Sequence, residues 1–314
     1  MLTLLLLAAS AHAAGIDFDR PSSQDFSWLL QDVAPPPIVL AAPVSRELVF
    51  EKSGALITPG LLTQKLANAR VVYAGEQHDQ ASHHQVQLKL LTALHARKPG
   101  LVVGLEMVSQ DLQQSLDDYL SGSMSDADFE KFWKKAWGFP FELYKPILEF
   151  CRTNHVKVVG LNAPIGVIRQ IAKGGMGSLT PDQRRALPAT VAQTSDAKYM
   201  AYLEQSLADH GPMTPDQKAR MLEAMAAWNE TMGAKVADLS AENPVLVIAG
   251  SGHMVYDRGV VESAARRTNS RQEVVLPYPL DGQPQPLADL LKTLRDPKSG
   301  DAQLADHFWL LPKD

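Results

Sequence analysis

Short apolar runs separated by longer stretches of helical periodicity set the rhythm of this chain. Val71-Val72-Tyr73-Ala74, Leu101 to Leu105 and Val245 to Ala249 are apolar runs of strand length, and Val156 to Gly160 is a strand-length run interrupted by Lys157. Runs that do not alternate with polar residues suit strands buried on both faces. Between them the period changes. Val86, Leu88, Leu90, Leu91 and Leu94 predict a helix over 82–97. Thr58-Pro59, Thr180-Pro181-Asp182 and Thr214-Pro215-Asp216 each set a capping hydroxyl before a proline suited to the first helical turn. The first of these starts a helix ending near Ala69. Further strands are expected at 273–276 and 307–311, with a possible edge strand at 47–51, and further helices at 258–267 and 287–294.

Strands alternating with helices predict an α/β fold, with a mixed, mostly parallel sheet flanked by helices. Two stretches, about 108–153 and 165–240, are long for simple crossovers. They are expected to form a largely helical cap over the carboxyl ends of the strands. The span 46–314 reads as one α/β domain. Residues 14–45 contain Pro35-Pro36-Pro37, which cannot continue a helix, and read as an extended arm. At the N-terminus, Leu2 to Ala9 is apolar and uncharged, and Ala11-His12-Ala13 is a small-x-small site. Residues 1–13 therefore resemble a cleaved signal peptide, although no Lys or Arg precedes the apolar stretch.

Composition narrows the function classes. The 314 residues are 45% hydrophobic and 21% charged, ordinary for a globular protein. A net charge of −5 argues against a nucleic-acid partner, which needs a basic face. Cys151 is the only cysteine. That excludes an intrachain disulfide and a four-cysteine metal cluster, and it leaves no cysteine for lipid attachment near the expected cleavage site.

The chemistry concentrates where the apolar runs end. Gly75-Glu76-Gln77-His78 and Gly250-Ser251-Gly252-His253 follow two of them, with their histidines 175 positions apart, and a third run ends on Glu106. In open α/β sheets ligands sit at the carboxyl ends of strands. His78, Glu106 and His253, with Glu76 beside them, are thus candidate catalytic residues: as general acid and base, or as ligands of a divalent metal. His84, early in the 82–97 helix, could reach the same pocket, whereas His83 reads as an exposed imidazole. The aromatic group Phe132, Trp133, Trp137, Phe139, Phe141 and Tyr144 reads first as packing. Lys198, Tyr199, Tyr202 and His210 share one expected helix. A phenolate can ligate ferric haem, and Lys or His can pair with its propionates.

Taken together, the ordered set Tyr73 to Asp79, His84, Gln87, Gly104-Leu105-Glu106-Met107, Gln113, Gly160 to Pro164, Trp228 to Met232 and Ala249 to Tyr256 resembles the ChaN-like haem-binding uptake family. The likeness spans about residues 47–280. That family is similar to a wider group, containing the TraB and Tiki proteins and the erythromycin esterases, marked by two Gly-x-x-His motifs and a Glu. The resemblance implies a periplasmic haem binder in iron uptake, with two haems stacked between the monomers of a homodimer and haem transport components as partners. It also implies a tyrosine on the iron, here Tyr199 or Tyr202 with Tyr144 in reserve, and propionate contacts from His210 and Lys198. The Tiki side implies instead a metal-dependent hydrolase or peptidase, and the esterase side a metal-free enzyme. Asn229 stands where the family pattern is expected to carry Asp.

Overall fold

The computed structural model describes residues 26–31, 43–208, 211–280, 285–294 and 304–312. The expected leader, most of the expected arm and His210 lie outside them. Within the arm, Ser27–Leu30 form a single 3-10 turn whose Leu29 is fully buried.

A hairpin of β1 (Leu48–Glu51) and β2 (Leu56–Ile57) precedes α1 (Pro59–Leu66), β3 (Val71–Glu76), α2 (Ala81–Arg97) and β4 (Val102–Ser109). Then come α3 (Gln113–Leu120), α4 (Asp126–Ala136), α5 (Lys145–Thr153) and β5 (Lys157–Asn162). A second helical stretch holds α6 (Ile165–Gly174), α7 (Pro181–Arg185), α8 (Ala197–Ala208) and α9 (Pro215–Glu242). The chain ends through β6 (Val245–Gly250), α10 (Val260–Ala265), β7 (Gln272–Pro279), α11 (Leu287–Thr293) and β8 (His307–Leu311).

The strands form one sheet in the order β2-β1-β8-β7-β3-β6-β4-β5. All neighbours from β8 to β5 run parallel; β1 is antiparallel to both β8 and β2. The expected mixed, mostly parallel sheet is thus present. One detail differs: β1 is not an edge strand, because the two-residue β2 covers it. So short a strand has too few side chains to show a period.

Alternation along the central strands divides the core in two. Val72, Ala74, Val103, Leu105, Leu246 and Ile248 face α1, α2 and the helices of the first long stretch. Val71, Tyr73, Val245, Val247 and Ala249 face α8 to α11. Each buried Leu or Val contributes on the order of 2 kcal/mol. The two long stretches divide their labour. Their helices α5 and α9 cover the sheet's faces, while residues 137–144 and α8 stand at the carboxyl ends of the strands.

Both α7 and α9 start with a complete capping box, Thr180 with Gln183 and Thr214 with Gln217, in which the threonine hydroxyl accepts the glutamine N–H and the glutamine side chain accepts the threonine N–H.

Candidate functional site

Register brings the motif residues together. β3 and β6 are adjacent, with Gly75 opposite Ala249 and Glu76 opposite Gly250. Both glycine–histidine loops therefore leave the sheet side by side. β4 flanks β6 on its other side, and its pairing with β5 shifts register between Leu105 and Ser109. Such an irregularity re-aims a side chain; here it lies at Glu106.

Glu76 is buried and saturated. One carboxylate oxygen accepts from His78 Nδ1 at 2.6 Å and from the Tyr144 hydroxyl at 2.5 Å. The other accepts from Gln87 Nε2 at 2.7 Å and lies 3.5 Å from His84 Nδ1. Burial alone would raise this carboxyl, but the charge of His84 and the hydrogen bond and charge of His78 outweigh it and hold it at about 2. Burial depresses His78, while the bond to Glu76 raises it further, for a net rise above its ordinary value. The ring of His78 is packed edge-on against Trp137 at 4.8 Å and beside Phe139 at 5.1 Å. It lies over Gly250: a Cβ there would come within 2.8 Å of His78 Cε1, 3.1 Å of Nε2 and 3.5 Å of Glu106 Oε2. A glycine is required for this close approach.

Glu106 forms the second half. Its Oε2 accepts the Gly250 N–H at 2.6 Å, and its Oε1 lies 3.1 Å from His253 Nε2. Burial raises its carboxyl, but His253, His78 and the Gly250 amide pull it below its ordinary value. His253 Nδ1 sits 2.6 Å from Asn229 Oδ1. Asn229 Nδ2 donates to the Tyr199 hydroxyl at 3.1 Å, and that hydroxyl donates to Gly252 O at 2.8 Å. Trp228 meets the His253 ring at 5.4 Å.

His78, Glu76, Glu106, His253 and Tyr144 thus share one site. His84 lies behind it, its Nδ1 3.1 Å from Gln87 Oε1 and its Nε2 3.2 Å from the His78 carbonyl. His83, expected to be exposed, is buried, and its Nδ1 accepts the Gln77 N–H at 2.8 Å. Burial, then the charge of His84, lowers it to about 4. The aromatic group divides. Trp133 and Phe141 pack with Phe129 in the core, while Trp137, Phe139 and Tyr144 wall the site. Tyr199 is buried, with its hydroxyl committed to Gly252 and Asn229. Tyr202 is half-buried and lies over the second loop: a Cβ on Gly252 would sit 3.7 Å from its ring and 3.9 Å from its hydroxyl. Its ring also meets Tyr256 at 6.5 Å. Tyr256 and Asp257 hold left-handed backbone, φ 61° and 58°, which costs non-glycine residues roughly 1–3 kcal/mol each. Lys198 lies exposed on α8.

The expected metal set of His78, Glu106 and His253 finds no support. Among the described residues no three His, Cys, Asp or Glu are placed to hold a metal ion. Both oxygens of each glutamate and both nitrogens of His253 face protein partners. Residues that the motifs alone did not assign to the site are Gln87, Asn229 and Trp228. All three lie in the quoted family segments, which was the one available signal.

On the second face, α8, α9 and α10 enclose a cavity of about 30 Å³ behind Tyr199 and Asn229. That is water-sized.

A curated relative is Protein RETICULATA-RELATED 5, chloroplastic, of Arabidopsis thaliana, 25% identical over 265 residues. The match takes in 78% of this chain but 34% of that protein, so the chain spans about a third of its relative's length. Among solved structures, the one showing cofacial heme binding to ChaN of Campylobacter jejuni superimposes with a TM-score of 0.61 at 17% identity. It covers 84% of this chain and 96% of that one, and at this identity it shows a shared fold. The family model described as "Haem-binding uptake, Tiki superfamily, ChaN" matches residues 62–263, which include both glycine–histidine loops, Glu106 and the helix carrying Asn229. This chain therefore belongs to the ChaN-type haem-binding uptake family of the Tiki superfamily.

Proposed function

We propose that this chain binds haem as cargo, exported to the periplasm by residues 1–13, and holds or passes it in iron uptake. The observation that carries this reading is membership of the haem-binding uptake family across residues 62–263. The residues present fit such a ligand. Of the three candidate tyrosines, Tyr144 and Tyr199 have buried hydroxyls locked in the network of the site. Tyr202 lies over the second glycine–histidine loop beside Tyr256, with a side-chain hydrogen bond to Ser206 on its own helix. Burial raises the Tyr202 phenol, so ferric iron must displace its proton on binding. Tyr202 is accordingly assigned to the iron and Lys198, four residues earlier on α8, to a propionate. The flat ligand would be closed from above by a second haem-bearing copy, giving a loaded homodimer that exchanges with haem transport components.

Haemin titration followed by Soret absorbance tests this. A saturable shift with a tyrosinate-type spectrum is expected. Tyr202→Phe should weaken binding at least tenfold and abolish that spectrum, with Tyr199→Phe and Tyr144→Phe retaining it. Sedimentation should show dimers once haem is loaded. Absence of a saturable shift in the unaltered protein would overturn the reading.

A second reading rests on the His78–Glu76 pair. With Nδ1 donating to Glu76, Nε2 of His78 is left as a base above Gly250, in the manner of a metal-free hydrolytic centre. Its test is acceleration of ester hydrolysis that His78→Gln abolishes.

A further inference from the structure

His78 and His253 lie in the site and His84 behind it, and hydrogen-bond directions fix where their protons sit. A carbonyl only accepts, so the 2.8 Å contact at Gly252 O makes Tyr199 the donor there. The Tyr199 oxygen then accepts from Asn229, which requires the amide nitrogen on that side. Asn229 Oδ1 is left facing His253 Nδ1, so Nδ1 carries a hydrogen. His253 Nε2 faces the Glu106 carboxylate, whose other oxygen already takes the Gly250 N–H. Both nitrogens of His253 therefore donate.

The same logic holds on the other side. Gln87 Nε2 serves two acceptors, Glu76 Oε2 at 2.7 Å and the Ala74 carbonyl at 3.4 Å. Gln87 Oε1 is thereby turned to His84 Nδ1, while His84 Nε2 faces the His78 carbonyl. His84 donates twice as well. Each buried carboxylate is matched by a buried histidine whose donor state is set by an amide side chain.

We infer that Gln87 and Asn229, the latter oriented by Tyr199, are positioning residues that hold His84 and His253 as double donors, so that His78 Nε2 is the one bare imidazole acceptor of the site. The inference rests on the acid–base reading of the same residues and gives it a polarity. The two carboxylates are neutralised by His84 and His253. The group that can take a proton is His78. The ligand suited to it offers a hydroxyl or a water hydrogen toward Gly250.

Ring nitrogen shifts in ¹⁵N-labelled protein, read at neutral to mildly alkaline pH, test the placement without any substrate. His84 and His253 should each show two protonated nitrogens, and His78 a protonated Nδ1 with a bare Nε2 on the alkaline side of its titration. Asn229→Leu and Tyr199→Phe should each cost His253 its two-donor signature and leave His84 unchanged. Asn229→Asp should preserve it, which a merely structural role for the amide does not require. A bare nitrogen at His253 or His84 in the unaltered protein overturns the inference, whether or not the variants fold. An unchanged His253 signature in Asn229→Leu does the same. The expected pattern in a protein that hydrolyses no ester upholds the proton placement and overturns only the hydrolytic reading.

Discussion

At the scale of single residues, Glu76 does most to decide the site's behaviour. It is buried, it has four neighbours on its two oxygens, and its carboxyl lies at about 2 in the folded chain against an ordinary 4.5. A group lowered in this way contributes stability that is fully present above 4.5 and lost as pH falls toward 2. The contribution is on the order of 3 kcal/mol at most. Acid unfolding followed by fluorescence should therefore show a steep limb in that window. Glu76→Gln should flatten it and lower stability at neutral pH. His78 acts with the opposite sign: its raised value means stability present at low pH and lost as pH rises through it. How much of this was legible beforehand differs by residue. The Gly-x-x-His spacing marked His78 and His253 directly. The Asn229–Tyr199 relay was not legible, because contacts between side chains 24 and 30 positions apart arise from helix packing and leave no local period.

Between elements, the seam of α9 and α10 is the tightest contact that bears on the site. Gly233 of α9 lets α10 approach: a Cβ there would lie 2.9 Å from the Ala264 backbone nitrogen and collide with the Ser263 side chain. Nearby Glu230, buried, binds both Arg266 and Arg267 across the same seam. Since α9 carries Asn229 and α10 follows the His253 loop, the seam fixes the distance across which they bond. Gly233→Ala should cost about 1–3 kcal/mol through overpacking, measured by denaturant unfolding, and should also disturb the His253 ring signals. The sequence disclosed α9 through its Thr214-Pro215-Asp216 start, and α10 as a helix expected over 258–267. It disclosed their docking poorly, since a glycine inside a helix reads only as a weak position until its neighbour is known.

For the molecule as a whole, the eight strands of the described residues form one sheet with an apolar core on each face, and its antiparallel side is bound through Trp309 of β8. Trp309 is fully buried, and its Nε1 donates to Glu47 at 2.9 Å. Trp309→Ala should cost about 3–5 kcal/mol in global unfolding monitored by circular dichroism. Loss confined to the β1–β2 hairpin would show instead that this side opens independently of the site. The strands at 307–311 and in the parallel centre were readable as apolar runs, whereas the strand order was not, because it depends on which partners the crossovers select. That order has a bearing on biosynthesis. Leu48 pairs with Leu310, 262 positions further on. As the chain leaves the ribosome, the hairpin must wait for β8 before it can join the sheet. Closure on that side therefore waits until β8 has been made, so the two halves of this antiparallel pair are joined late in synthesis however early the hairpin itself forms.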